Sequence, residues 1–301
     1  LFLVRNLPKS YERDIDAWQW SRFCFVLCLM VGLFVLNIGV ITWRSGRLNT
    51  ESVHVFVFDV GQGDAAYIDG KEKDVIVDGG PTRTGLLENL SQVRYPWERH
   101  IDAVIATHPH ADHVIGLIGL IGTYSVDEVV TSGVVHQEAG AEAFSSITSS
   151  PVIASATKQS WELSSEANLE ILWPKNETDD LVSSNVHRRS IVLLLKVGEK
   201  SMLFTGDAEA DVEKDLGDIG KIDVLKVGHH GSDTSTSQEF LNFINPDLAI
   251  ISVGEGNSYG HPSPFVLARL SALGAEVLRT DQGGSIRVDF QNDDFSWWKL
   301  P

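Results

Sequence analysis

Thr107-His108-Pro109-His110-Ala111-Asp112-His113 places four potential metal ligands, His108, His110, Asp112 and His113, within six residues. Imidazole and carboxylate donors at this density suit Zn²⁺ and also accept Mn²⁺. In an extended turn His108 and His110 project to the same side and can share one ion. Asp112 and His113, turning into a helix, then point at a neighbouring ion. One such cluster cannot complete two coordination shells, so further His or Asp ligands must arrive from distant strand ends.

The sequence supplies candidates. Met202-Leu203-Phe204-Thr205-Gly206-Asp207 delivers a carboxylate at the end of an apolar strand, where an oxygen ligand shared by two ions would sit. Asn257-Ser258-Tyr259-Gly260-His261-Pro262 puts a histidine in a loop after another apolar strand; alone it reads first as a surface loop residue. Between them, Val227-Gly228-His229-His230-Gly231-Ser232 holds two adjacent imidazoles in a glycine-flanked turn, suited to proton transfer to a leaving oxygen. Neighbouring side chains at a strand end face opposite ways, so one of His229 and His230 would work while the other packs; the residues alone do not say which.

These residues need rigid elements behind them. The run VHVFVFDV starts a strand, and YIDGKEKDVIVDGG reads as a hairpin turning at Asp69-Gly70. Ile101 to Ala106 is a buried strand, and ADHVIGLIGLIG, Ala111 to Gly122, has a helical apolar pattern despite its glycines. Later strands are expected at Leu169–Leu172, Ser190–Val197, Ser201–Thr205, Ile222–Val227, Leu248–Val253, Glu276–Arg279 and Ser285–Phe290, with helices at Ala208–Leu216, Ser237–Phe243 and Pro264–Leu273. The alternation runs without a linker, which predicts one domain over residues 53–290 and a tail over 291–301. The stretch from Val134 to Glu166 is polar and weakly periodic, and suits an insertion facing a substrate. Gly61-Gln62-Gly63 and Gly79-Gly80 match neither a dinucleotide fingerprint nor a P-loop, and read as tight turns.

Ahead of this domain, Ser21 to Trp43 is a 23-residue stretch whose apolar part is bounded by Arg22 and Arg44. That is long enough to predict a transmembrane helix, with residues 1–20 juxtamembrane and 44–52 a linker. Trp18, Trp20 and Trp43 sit at its ends. Arg5, Lys9, Arg13 and Arg22 precede it against Arg44 and Arg47 after it, which places the large domain outside a single-pass cell-membrane protein. A cleaved signal peptide is the competing reading, weakened by the length of the run and the lack of a small-x-small site. The apolar start Leu1-Phe2-Leu3-Val4 suits a piece of a longer membrane protein. Cys24 and Cys28 both lie in this run, so a disulfide framework or thiolate zinc site is not indicated for the domain. The formal charge of −17, from 24 Lys plus Arg against 41 Asp plus Glu, repels polyanions at long range. This counts against a binder of nucleic acid by bulk attraction alone, but not against an enzyme with local positive charge such as bound metal.

The motifs FDVGQGDAAYI, IVDGG, THPHADH, LFTGD, VGHHGS and YGHPSP, in this order and at these intervals, resemble the metallo-β-lactamase-like domain of ComEC-type DNA-internalisation competence proteins. The resemblance covers Val53 to Phe290, and it implies an α/β fold, the αββα sandwich of the metallo-β-lactamases. It implies a metal site of His108, His110, Asp112, His113, Asp207 and His261, supported from behind by Asp59 and Asp78. His229 falls where related phosphodiesterases keep a proton-donating histidine. His187 stands where family members often carry Asn; it either gives the first ion a third imidazole or is a loop substitution without consequence. Arg188, Arg189 and Ser232 are candidate substrate contacts, the two arginines reading equally as a solvated basic turn.

The function implied is a two-metal phosphodiesterase, a nuclease taking DNA as substrate during uptake. Two ions, Zn²⁺ or Mn²⁺, would activate water for attack on phosphorus, with Asp112 orienting it. A membrane and a competence channel domain or subunit would be its partners. The alternatives are hydrolysis of a non-nucleic phosphodiester or ester, such as a cell-wall component, and a scaffold that lost activity. Lactam hydrolysis fits least.

Overall fold

The computed structural model describes residues 22, 24–35, 52–134, 139–148, 152–153, 159–176 and 185–300, and divides the chain into two units, Leu1–Thr50 and Glu51–Pro301. In the first, residues 24–35 are helical, and Phe25, Met30 and Phe34 are exposed. The expected transmembrane helix over residues 21–43, and the single-pass cell-membrane location built on it, are corrected here: among the described residues no helix is long and apolar enough to cross a membrane. A helix over residues 24–35 extends about 18 Å, against ~30 Å of hydrocarbon. Residues 36–51 and the flanking Trp18 and Trp20 lie outside the described residues.

In the second unit, β-branched and aromatic runs form two sheets. The first comprises β1 (Val53–Val57), β2 (Ala65–Asp69), β3 (Asp74–Gly79), β4 (His100–Ala106), β5 (Ser125–Thr131), β6 (Val152–Ile153), β14 (Ile286–Gln291) and β15 (Asp294–Lys299), in spatial order β15-β14-β1-β2-β3-β4-β5-β6. The second has the order β13-β12-β11-β10-β9-β8-β7, from β7 (Ser160–Ser164), β8 (Ala167–Trp173), β9 (Val192–Val197), β10 (Lys200–Phe204), β11 (Val224–Lys226), β12 (Leu248–Ile251) and β13 (Glu276–Arg279). Their inner faces meet in one apolar layer that includes Val55, Val77, Ile105, Leu193, Phe204 and Ile250.

Helices cover both outer faces. On the first sheet lie α1 (Gly85–Val93), α2 (Ala111–Ile121) and α3 (Ala139–Ile147), burying Leu86, Leu90, Leu117 and Phe144. On the second, α4 (Ala210–Leu216), α5 (Gln238–Ile244) and α6 (Pro264–Leu273) bury Val212, Phe240, Leu241 and Leu270. The result is the expected αββα sandwich. Local chemistry sets the helix ends: Ser263 caps α6 with Pro264 behind it, and Gly274 closes it at φ +77°.

The glycines of α2 have a packing reason. A Cβ on Gly116 would meet the carbonyl oxygen of Gly79 at 1.8 Å, and one on Gly79 would meet the Leu117 nitrogen at 2.5 Å. The helix therefore lies backbone-to-backbone on the end of β3, and the Gly116 N–H donates to Gly80 O at 3.0 Å. Within each sheet the strands leading to the key loops are parallel: β3, β4 and β5 in one, β10, β11 and β12 in the other.

Candidate metal centre

Asp78, at the end of β3, fixes the start of the histidine turn. Its Oδ1 accepts from the Thr107 N–H at 2.8 Å and its Oδ2 from the Thr107 hydroxyl at 2.7 Å. The same Oδ2 lies 2.9 Å from His113 Nδ1, so that nitrogen donates to Asp78 and Nε2 is turned inward toward Asp207. Asp78 thus fixes the ring of a candidate ligand with Nε2 toward the centre.

Two groups of donors converge. His108, His110, His187 and Asp207 bring ligand atoms within 4.8 Å of one another, as do Asp112, His113 and His230. Asp207 joins them: Oδ2 is 3.4 Å from His108 Nε2, and Oδ1 is 3.4 Å from His113 Nε2. Both His113 Nε2 and Asp207 Oδ1 are buried and make no hydrogen bond. Leaving such atoms unpaired costs about 1–3 kcal/mol each, and a cation between them removes that cost. The donors are nitrogen and oxygen, arranged as two sets sharing a carboxylate, which fits two divalent ions.

Charge favours the ligating forms of His108, His110 and Asp112, whereas against burial the carboxylates around His113 and His230 hold those two rings protonated, a proton that a bound cation would replace. Burial, with His108 and His187 nearby, pulls His110 down to about 3, and burial also lowers His108, so both are neutral at neutral pH. Burial alone would raise Asp112, but the hydrogen bond from His230 and the charges of His113 and His230 bring it down to about 2. For His230 burial opposes the charge, yet Asp207 and Asp64 dominate and push it up to about 10.

The turn after β11 differs from expectation. His229 and His230 both take left-handed conformations, φ +48° and +53°, uncommon for residues with a Cβ. The His229 N–H donates to Gly206 O at 3.0 Å, tying this turn to the one bearing Asp207. Both imidazoles consequently reach the centre. His230 is 2% exposed, with Nδ1 3.1 Å from Ser252 O and Nε2 3.2 Å from Asp112 Oδ2. His229 lines the cleft, its Nε2 3.7 Å from Asp207 Oδ2 and its Nδ1 3.6 Å from Glu209 Oε1.

His261, expected as a ligand, belongs to none of these groups and lines the cleft beside them, while His230 stands with Asp112 and His113. The His261 ring instead lies against Tyr259, centroids 6.0 Å apart at 15°, and 5.9 Å from His229. Asp59, expected behind the site, is exposed and accepts from the Gly61 N–H as a turn cap. Its part falls to Asp64, buried, which lies 2.8 Å from Lys226 Nζ and 3.3 Å from His230 Nδ1. Lys226 was the readable signal: a lone ammonium inside the apolar run Val224–Val227 needs a buried carboxylate. Glu209, 3.4 Å from His187 Nδ1, was also missed.

The expected substrate contacts point elsewhere. Arg189 is fully buried and donates from Nε to Ser132 O at 2.6 Å. Arg188 pairs with Asp211 and Asp215 and covers Trp173. Ser232 Oγ sits 3.0 Å from Thr234 Oγ1 and is 7% exposed. The centre opens instead into a cleft of about 730 Å³ lined by Gly61, Gln62, Pro81, Ile115, Tyr259 and the histidines.

Three comparisons bear on this geometry. The model of the metallo-beta-lactamase superfamily matches residues 58–255. Recombination protein 2 of Haemophilus influenzae is 31% identical over 313 aligned positions, 97% of this chain and 38% of that protein. ComE operon protein 3 of Bacillus subtilis is 31% identical over 79% of this chain and 33% of its own length, and competence protein ComA of Neisseria gonorrhoeae 28% identical over 84% and 34%. The chain thus spans less than two fifths of these relatives. Among solved structures, Zn²⁺-bound PqqB of Methylobacterium extorquens aligns with 75% of this chain and 97% of its own, at 12% identity and a TM-score of 0.45.

Proposed function

The chain belongs to the metallo-beta-lactamase superfamily of metal-dependent hydrolases, and we propose that it is a two-metal phosphodiesterase acting on DNA during uptake. The observation that carries this reading is the division of Asp207 between two donor groups at the floor of an open cleft. DNA is favoured as substrate by the competence proteins among the relatives, a setting in which a DNA-conducting domain or subunit would be the partner.

His108, His110, His187 and Asp207 would hold one divalent ion, and Asp112, His113, His230 and Asp207 the other; Zn²⁺ and Mn²⁺ both suit the set. When bound, the ions supply Lewis-acid stabilisation of phosphoryl charge and lower the pKa of water. Asp112, one third exposed in its side chain, accepts a hydrogen bond from the attacking water and aims it. His229 gives the proton from Nε2 to the leaving oxygen, with Glu209 beside Nδ1 orienting the ring. Burial pulls His229 down to about 4, so its imidazole is proton-poor at rest. The negative charge of an arriving phosphodiester raises its proton affinity, which couples protonation to binding.

The test is cleavage of end-labelled single- and double-stranded DNA by the full chain with Zn²⁺ or Mn²⁺ and metal content measured, beside Asp112→Ala. Metal-dependent cleavage that falls at least about 100-fold in the variant supports the reading. A second reading, hydrolysis of a small phosphodiester or ester such as a cell-wall component, is favoured by one observation: among the described residues lining the cleft there is no Lys or Arg. Turnover of small aryl phosphodiesters with no DNA cleavage by the fully metallated protein would establish it instead.

A further inference from the structure

The YGHPSP loop is not used by the metal centre, yet it is built with care. The side-chain amide of Asn257 donates to Gly254 O at 3.1 Å and His261 O at 2.6 Å, while its Oδ1 accepts from the Tyr259 N–H at 3.2 Å and the His261 N–H at 3.1 Å. One side chain therefore pins both ends of the loop. The Ser263 N–H donates to Gly231 O at 2.8 Å, tying the loop to the turn that carries His229 and His230.

What this loop presents is an aromatic face that the described residues leave largely uncovered. Tyr259 is 71% exposed although it lines the cleft. Its ring is nearly parallel to that of His261, and His261 in turn lies 5.9 Å from His229, so a row of rings leads from the rim to the proposed proton donor. Leaving a large ring in water on a fixed loop forgoes burial that folding would otherwise gain. With no Lys or Arg among the described lining residues and a formal charge of −17, the cleft does not hold a polyanion by cationic side chains. A π-face is the recognition surface left.

Resting on the phosphodiesterase reading, we propose that Tyr259, backed by His261, is a stacking platform for the nucleobase next to the scissile phosphate. Stacking is tolerant of base identity, because every base offers a face. It also demands a base whose face is open, so the platform selects single strands, frayed ends or flipped nucleotides over an intact duplex.

The experiment compares steady-state cleavage of a single-stranded oligonucleotide by the metallated full chain, Tyr259→Phe and Tyr259→Ala, with a normal base or an abasic site beside the cleaved bond. Tyr259→Phe should stay within about twofold of the wild type, and Tyr259→Ala should raise KM about tenfold. The abasic site should cost the wild type a similar factor and cost Tyr259→Ala no more, because both remove the same contact. Equal KM for Tyr259→Ala and wild type overturns the platform, as does a Phe variant as weak as Ala or losses that multiply. If the wild type with two ions bound cuts no oligonucleotide, the nuclease reading itself falls; if it cuts and ignores Tyr259, only the platform does.

Discussion

Asp207 and His230 decide how the centre is built. A carboxylate 2% exposed that faces one histidine group with each oxygen would be the joint of the proposed two-ion site, and His230 joins the second group from a backbone conformation that residues with a Cβ rarely adopt. Nothing in His-His-Gly announces two consecutive left-handed residues, whereas the ligand role of the Gly-His-Pro histidine was implied only by the family resemblance. That is why the grouping of His108, His110, Asp112, His113 and Asp207 could be expected from type, spacing and motif order, while the inward turn of both His229 and His230 could not. Asp64 and Asp59 repeat the lesson: their side chains diverge because one buries beside Lys226 and the other caps a turn. The difference is measurable by metal analysis after dialysis. His230→Ala should retain about one ion per chain or fewer, and His261→Ala should retain both; the opposite pattern would return His261 to the ligand set.

At the scale of elements, boundaries followed local chemistry. The α2 helix and strand β4 begin and end within a residue or two of expectation, because an apolar strand, a Pro-containing turn and a helical apolar pattern succeed one another. Helix α1 and strands β5 and β15 were not anticipated. β5 reads Ser-Val-Asp-Glu-Val-Val-Thr and β15 Asp-Phe-Ser-Trp-Trp-Lys, half-exposed strands whose polar residues hide the pattern until a neighbour pairs with them. The hairpin of β2 and β3 carries a pH-sensitive charge. Asp69 is pushed up from the ordinary carboxylate value of 3.8 to about 6, first by burial and then by Asp74. A raised carboxyl pKa contributes stability that is complete below about 3.8 and lost as pH rises through about 6. Asp69→Asn, permanently neutral, should therefore stabilise the fold by about 1–3 kcal/mol at pH 8, with the gain fading toward pH 4. Urea unfolding at both pH values checks this, and an equal gain at both would refute it.

Across the whole molecule, two sheets with helices outside bring together strand ends that are far apart in sequence: His108 after β4, His187 before β9, Asp207 after β10 and His230 after β11. No local pattern states that meeting, although the order of motifs implied it. The amino-terminal apolar run shows the converse, since length and composition predicted a membrane span that the described helix does not support. The acidic balance is reconciled with DNA if the ions and an aromatic face replace cationic side chains, and binding should then weaken with salt less steeply than for basic DNA-binding proteins. The most direct test of the central claim is DNA cleavage rate against ions bound per chain, with the protein stripped by chelator and reloaded stepwise. The account predicts no cleavage by the stripped protein and a rate that rises mainly with the second equivalent of Zn²⁺ or Mn²⁺. Cleavage that survives removal of metal, or a protein holding two ions that leaves DNA intact, would contradict it.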